Sequence, residues 1–479
     1  QHELYCAGHL FEAAAAHYEA TGKKTLLNVA TKLADHIDAR FGPGKKMGYP
    51  GHPETELALF KLWRATGEDR YYRLAEFFLN SRGTKFFATE HNTPLDRYNG
   101  DYWSDNRLLR DHEEIVGHAV RAAYLFAGAT DLAHQTGEPA LIAMLDRVWE
   151  SNTYRRMFVT GGLGPSGSNE GFTVDYDLPT FTAYQESCAG IANALWNWRM
   201  ANLHGETKYA DVLETALYNG AISGLNLRGD RYYYTNPLAS EGGHHRREWH
   251  ACACCPPNLA RLVGQVGGMA YAAGKDAVAI NLYFAGKAQI RESGQDVDLS
   301  ITTDYPWDGK VVIRVDRVGK PNFTLKARKP GWLETDARVN GQAMKPDANG
   351  YLNLGNRWKA GDTVTLDFPM SARRVLSHPN VAETFGMAAF ARGPVIYCAE
   401  AADNAIPFQG LGVPMNASVT AKKVKDKDLG TFAELRVQAQ VSEAVEWSGK
   451  LFQSRGIARD EDQIMTAPRQ VVGIDGADA

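Results

Sequence analysis

The chain has 479 residues, 44% hydrophobic and 23% charged, with a net charge of −4. That length predicts two or three domains rather than one core. The near-balanced charge, with no basic run, argues against a nucleic-acid partner, and no apolar run approaches the ~20 residues that span a membrane. Six cysteines do not make a disulfide framework at this length, and their clustering suits a reducing compartment or protection by a metal.

The start, Gln1-His2-Glu3-Leu4-Tyr5, shows no signal peptide and reads as the beginning or interior of a helix. N-terminal helices are therefore expected to be absent, and a cytoplasmic location is favoured. Apolar residues then recur at helical spacing from Leu4 to Tyr18. A helix–glycine–helix joint follows at Ala20-Thr21-Gly22-Lys23 and returns at Ala65-Thr66-Gly67-Glu68, Gln135-Thr136-Gly137-Glu138 and Leu203-His204-Gly205-Glu206. One such joint is merely a common helix terminus. Four of them predict repeated αα-hairpins in a helical array or α/α toroid over residues 1–273. Long loops are expected at 41–53, 84–110 and 161–180, where a cleft would form. The glycines of the third loop follow no strand and precede no Lys-Ser/Thr, so they do not read as a phosphate loop.

Past Ala272 the periodicity changes to alternation, at 277–283, 297–301, 310–315, 323–327 and 363–368, with turn signals at Asp308-Gly309, Asn340-Gly341 and Asn349-Gly350. This predicts all-β sandwich domains over 274–440, including one apolar strand over 387–399. Residues 441–479 read as an irregular tail. The expected fold class is thus α+β multidomain.

Chemistry concentrates in three places. Cys252-Ala253-Cys254-Cys255 packs three thiols into four positions, Glu186-Ser187-Cys188 pairs a carboxylate with a thiol, and Glu170 lies in the glycine-rich loop. Adjacent cysteines make a strained disulfide, so a metal explains them better. Zinc takes sulfur and carboxylate ligands in fours, and Glu186, Cys188, Cys254 and Cys255 make such a set. Taken alone, Cys188 reads as a buried core cysteine. The spacing matches no zinc finger or ribbon.

Cys252-Ala253-Cys254-Cys255-Pro256-Pro257-Asn258-Leu259-Ala260-Arg261, Glu186-Ser187-Cys188 and Glu3-Leu4-Tyr5-Cys6-Ala7-Gly8-His9-Leu10 resemble glycoside hydrolase family 127, the β-L-arabinofuranosidases, from residue 1 to about 440. The resemblance implies an (α/α)6 toroid with jelly-roll-like β-sandwiches behind it, and retaining hydrolysis by a zinc-bound cysteine. It assigns Cys254 as nucleophile, Glu186, Cys188 and Cys255 as its companion zinc ligands, and Glu170 as acid/base. It also implies that His9, His52 and His118 contact the sugar. For each histidine a satisfied core role stands beside that assignment. Of His244, His245 and His250, the last is expected nearest the site, and Cys252 is expected to be structural. An acid/base role requires the Glu170 carboxyl to be protonated at working pH, hence raised by desolvation or negative charge. The implied substrate is terminal β-L-arabinofuranose on plant-derived glycans, with no nucleic-acid or membrane partner and a homodimer left open. Two alternatives remain: a furanosidase for another pectin side-chain sugar, and a non-catalytic carbohydrate-binding protein with structural zinc. A lyase or isomerase on the same toroid would have no need of a cysteine cluster.

Overall fold

The computed structural model describes residues 2–319, 322–404, 408, 411–441 and 470–474. Among them, ten α-helices come first: α1 (Glu3–Thr21), α2 (Thr25–Arg40), α3 (Thr55–Thr66), α4 (Asp69–Asn80), α5 (Phe86–Glu90), α6 (Ala119–Thr136), α7 (Pro139–Ser151), α8 (Ser187–His204), α9 (Thr207–Thr215) and α10 (Cys255–Met269). All four predicted joints are helix ends. Gly22, Gly67, Gly137 and Gly205 close α1, α3, α6 and α8 at φ 70°, 75°, 64° and 66°, where a Cβ would cost roughly 1–2 kcal/mol. The preceding threonine completes three of the joints. Thr21, Thr66 and Thr136 each donate Oγ–H to the carbonyl four residues back and accept the N–H two residues on. The recurring Thr-Gly is therefore a two-sided stop signal that turns the chain into the next helix.

The hairpins stack in two layers. Helices α1, α3, α6, α8 and α10 pack side by side in that order, and α2, α4, α7 and α9 back them. Inner α6 and α8 are buried almost all round and rich in alanine, which lets neighbouring backbones approach. Backing helices such as α4 bury one stripe only (Tyr71, Leu74, Ala75, Phe78). Buried charges tie α1 to α10: Arg261 Nε meets Glu12 Oε2 at 2.7 Å, and Lys61 Nζ of α3 meets Glu12 Oε1 at 2.9 Å.

Strands begin at Tyr271. The first β region holds a four-stranded sheet of β1 (Tyr271–Gly274), β2 (Ala277–Ile280), β6 (Thr324–Arg328) and β9 (Tyr351–Gly355). Its six-stranded companion contains β3 (Gly286–Ile290), β4 (Val297–Thr303), β5 (Lys310–Val318), β10 (Thr363–Asp367), β7 (Ala337–Val339) and β8 (Gln342–Met344), in that spatial order. Alternate residues of β4 and β5, such as Leu299, Ile301, Ile313 and Val315, meet Val278, Ile280 and Leu325 in one core. Each fully buried aliphatic side chain there contributes roughly 1.5–3 kcal/mol. Asn340 and Gly341 turn β7 into β8 with φ 50° and 83°, as a two-residue hairpin requires. Arg328 joins this region to the helices: it is fully buried, and its Nη2 lies 2.5 Å from Glu214 Oε1 at the end of α9.

A smaller second β region follows, with a three-stranded sheet of β11 (Ala372–Val375), β12 (Ala389–Arg392) and β13 (Val395–Tyr397). The single strand expected over 387–399 is two, because Gly393 (φ 56°) and Pro394 turn the chain between them. Strands β14 (Leu411–Gly412), β15 (Val419–Asp426) and β16 (Gly430–Val441) complete the region, and Leu435, Val437 and Ala439 share a core with Phe390, Val395 and Tyr397. The irregular tail expected over 441–479 lies outside the described residues except where it is corrected. Gln470–Ile474 forms β17, antiparallel to β16 from Leu435 to Ala439. No helix among the described residues is long and apolar enough to cross a membrane.

Candidate active site

The N-terminal ends of the inner helices bring the chemistry together. The residues capping α1, α3, α6, α8 and α10 are His2, Glu54, His118, Glu186 and Cys254. A helix N-terminus carries about half a positive charge, so these ends favour thiolate and carboxylate. The long loops expected to make a cleft enter the same end.

Glu186, Cys188, Cys254 and Cys255, remote in sequence, present ligand atoms all within 4.8 Å of one another. The sulfurs of Cys188 and Cys255 are 3.4 Å apart and those of Cys254 and Cys255 are 3.8 Å apart. Glu186 Oε1 lies 3.4 Å from Cys254 Sγ and 3.5 Å from Cys255 Sγ. Ligands at zinc's usual ~2.3 Å (sulfur) and ~2.0 Å (oxygen) in a tetrahedron stand about 3.8 Å apart for two sulfurs and about 3.5 Å for sulfur and oxygen. The set has that shape. Glu186 Oε2 is moreover buried without a hydrogen-bond partner, and a buried polar oxygen left alone is costly. Burial pushes the Glu186 carboxyl and the Cys188 and Cys255 thiols well up. Cys254 goes the other way, held below the ordinary thiol range by hydrogen bonds from Cys188 and Cys255. It is also the one sulfur of the set that is not buried, so it alone can meet a substrate. Cys252 is exposed, 3.7 Å from Cys254 Sγ and outside the four-ligand set.

Glu170 is placed by backbone. It adopts φ 50°, at a cost of roughly 1–2 kcal/mol. A bridge pairs His118 with Gly171, Ala119 N–H donates to Glu170 O (3.1 Å), and Phe172 N–H donates to Gly117 O (2.8 Å). The carboxylate then lies 2.9 Å from His118 Nε2 and accepts the Tyr184 hydroxyl at 3.1 Å. His118 Nδ1 accepts Arg121 N–H, which fixes the proton on Nε2 and makes it a neutral donor. Burial, working against the carboxylate's pull, keeps this imidazole from charging. With the His118 donor outweighing its own burial, Glu170 is held below the usual carboxylate range. This corrects the raised carboxyl expected from sequence: two donors stabilise the anion, and the side chain remains 38% exposed.

His9 and His52 form one wall with Tyr5, at ring-centroid distances of 4.5 and 4.4 Å, and His52 lies 5.5 Å from His118. His52 Nδ1 faces Pro53 O at 2.9 Å and His9 Nδ1 faces Glu54 Oε1 at 3.5 Å. The carbonyl contact puts the His52 proton on Nδ1 and leaves its Nε2 as an acceptor. Burial lowers both histidines, His9 to about 4, so they are neutral. His118 has neither ring nitrogen free. His250 approaches Tyr234 at 5.7 Å, whereas His244 stacks on Tyr233 and His245 is exposed.

Three site residues escaped the sequence reading. Tyr184 orients Glu170, Tyr234 places its hydroxyl 3.3 Å from Cys254 Sγ, and Glu54 stands behind His9. Arg261 backs Glu54 at 3.1 Å while holding Glu12. Burial pushes the Glu54 carboxyl up to about 8 against Arg261. The available signals were Tyr184, two residues before the Glu-x-Cys element, and Arg261, at the end of the cysteine motif.

Family models match residues 1–268 as a β-L-arabinofuranosidase GH127 catalytic domain, 277–370 as the GH127 middle domain and 372–449 as the glycoside hydrolase family 127 C-terminal domain. The chain is 37% identical over 440 residues to the non-reducing end β-L-arabinofuranosidase of Bifidobacterium longum subsp. longum, an alignment covering 84% of this chain and 66% of that protein. It thus spans just under two thirds of that relative's length. A crystal structure of a GH127 β-L-arabinofuranosidase from Geobacillus stearothermophilus T6 superposes with a TM-score of 0.89 at 36% identity, covering 99% of this chain and 77% of that one. A second GH127 β-arabinofuranosidase structure gives a TM-score of 0.86 at 34% identity, covering 99% and 73%.

Proposed function

The chain belongs to glycoside hydrolase family 127, and from that premise we propose that it is a zinc-dependent, retaining glycosidase releasing terminal β-L-arabinofuranose from plant-derived glycans. The carrying observation is the partly exposed Cys254 sulfur, set in a zinc-shaped cluster at the same helix ends as an orientated Glu170. We read the five inner helices as five of the six of an (α/α)6 ring over 1–273, with 274–440 as its β-domains.

Glu186, Cys188, Cys254 and Cys255 would hold the zinc. Bound there, zinc supplies positive charge that keeps the thiols deprotonated and fixed. Cys254 Sγ attacks the anomeric carbon and Glu170 gives its proton to the departing glycosidic oxygen, leaving a thioglycoside on Cys254. Glu170, now a carboxylate, takes a proton from water. The water oxygen then displaces the Cys254 thiolate, and two inversions give retention. The free site already holds Glu170 in the form needed for the second half. For the first half the sugar must cover the exposed carboxylate, and that desolvation favours the protonated form. His118 and Tyr184 orient Glu170, while His9 and His52 meet sugar hydroxyls, His52 through its Nε2 acceptor.

The test combines metal analysis of the purified chain with hydrolysis of an arabinofuranosyl aryl glycoside. About one zinc per chain, and activity that Cys254→Ser and Glu170→Gln both abolish, supports the reading. Unchanged hydrolysis in either variant overturns the mechanism, and sugar binding without any hydrolysis returns the chain to a binding role.

A further inference from the structure

A hollow of about 450 Å³ is lined by Phe181, Pro237, Ala239, Ser240, Glu241 and His244. Two of these residues adjoin, along the chain, groups of the candidate site. Tyr184, the hydroxyl donor to Glu170, lies three residues beyond Phe181, and the N–H of Asn236, one residue before Pro237, meets the Tyr184 carbonyl at 3.3 Å. With Ser187 N–H on Tyr234 O at 2.9 Å, one backbone ladder leads from the hollow to Tyr184, which orients Glu170, the group that faces the leaving oxygen in the proposed reaction.

The hollow is built rather than incidental. Phe181 is an aromatic left 57% exposed, the presentation that sugar-ring stacking uses. Its backbone is pinned from two sides. Leu238 N–H donates to Thr180 O at 3.0 Å, and from the second β region Glu383 Oε1 accepts both the Thr180 N–H (2.7 Å) and its hydroxyl (2.5 Å). The opposite wall is fixed as well: His244 stacks on Tyr233 at 4.6 Å with planes 5° apart, and its Nε2 faces Thr235 O at 2.9 Å. That contact puts the His244 proton on Nε2 and leaves Nδ1 as an acceptor. Ser240 Oγ accepts Gly242 N–H at 3.1 Å, which keeps its own O–H to donate. An apolar face beside a Ser240 donor and His244 and Glu241 acceptors matches a polyol ring. Glu241, the one carboxylate in the lining, opposes a second negative charge.

We propose that this hollow binds the sugar ring carrying the leaving oxygen, accepts a neutral sugar in preference to a uronate, and depends on Glu383 to position its Phe181 wall. The proposal rests on the hydrolytic reading above. Its test compares three substrates on the metal-loaded full chain: methyl β-L-arabinofuranoside, a disaccharide with arabinofuranose on a neutral pentose, and the same sugar on a uronic acid. Phe181→Ala should raise KM for the neutral disaccharide about three- to tenfold, with kcat and methyl-glycoside kinetics unchanged. Glu383→Ala should reproduce that KM effect, with Glu383→Gln partly restoring it, and Glu241→Gln should selectively improve the uronate substrate. Equal losses on the methyl glycoside and the disaccharide, or no change on either, overturn the subsite. A wild-type chain that cleaves none of the three overturns the hydrolytic reading itself.

Discussion

In the proposed reaction, replacing Cys254 with serine separates attack from metal holding. Three thiols share the cluster, but Cys188 and Cys255 are buried whereas Cys254 is partly exposed. An ordinary thiol with a pKa of ~8.5 is only about 3% ionised at pH 7, so full ionisation of Cys254 is worth about 30-fold, or ~2 kcal/mol. Serine forfeits that and the polarisable nucleophile, and it also leaves the developing charge at the anomeric carbon without a partner. We expect kcat per bound zinc to fall by at least about 10³, or ~4 kcal/mol. Cys188→Ser and Cys255→Ser are the controls. They remove proposed ligands whose sulfurs lie 3.4 Å apart in the protein interior, so their activity should fall in proportion to metal content, with little loss per zinc. The assay is steady-state hydrolysis of an aryl arabinofuranoside normalised to zinc measured by atomic emission. Activity per zinc within about tenfold of wild type in Cys254→Ser would refute the assignment.

Three further outcomes follow from the geometry. Tyr184→Phe removes one of the two donors that stabilise the Glu170 anion. The carboxyl then keeps its proton to higher pH, so the alkaline limb of the kcat/KM profile should move upward, and a downward shift would contradict the placement. Gly171→Ala puts a Cβ 1.8 Å from the Gly117 carbonyl oxygen; prising apart the bridge between His118 and Gly171 should cost at least about 10² in kcat, measured beside a circular-dichroism check of the fold. Arg261→Met leaves the buried Glu12 and Glu54 without their shared cation, which predicts a loss of about 3–5 kcal/mol and a drop in Tm near 10 °C by scanning calorimetry, whereas a change under 1 kcal/mol would refute the role of this network.

Much of the molecule was legible in the amino-acid order, because those parts depend on local interactions. A Thr-Gly joint stops a helix through bonds reaching at most four residues, so α1, α3, α6 and α8 could be ended correctly from sequence. Alternation located β4, β5 and β10 for the same reason, since one sheet face is buried and the other is not. The residues of the thiol–carboxylate cluster stood out by type, and the structure brings Glu186, Cys188, Cys254 and Cys255 together. The limits appear where geometry spans the chain. That Glu186 and Cys254 would stand 3.4 Å apart depends on α8 and α10 packing as neighbours with their N-termini together. The protonation of Glu170 was misjudged because its two hydrogen-bond donors come from other places, His118 at the start of α6 and Tyr184 beyond the loop. The interior pairing of Arg261 with Glu12 and Glu54 joins three helices, and the cysteine motif that ends at Arg261 names neither partner. Sequence thus determined which groups are available and where helices stop. Tertiary packing determined which of those groups touch, and through burial and hydrogen bonding it set the charge each one carries.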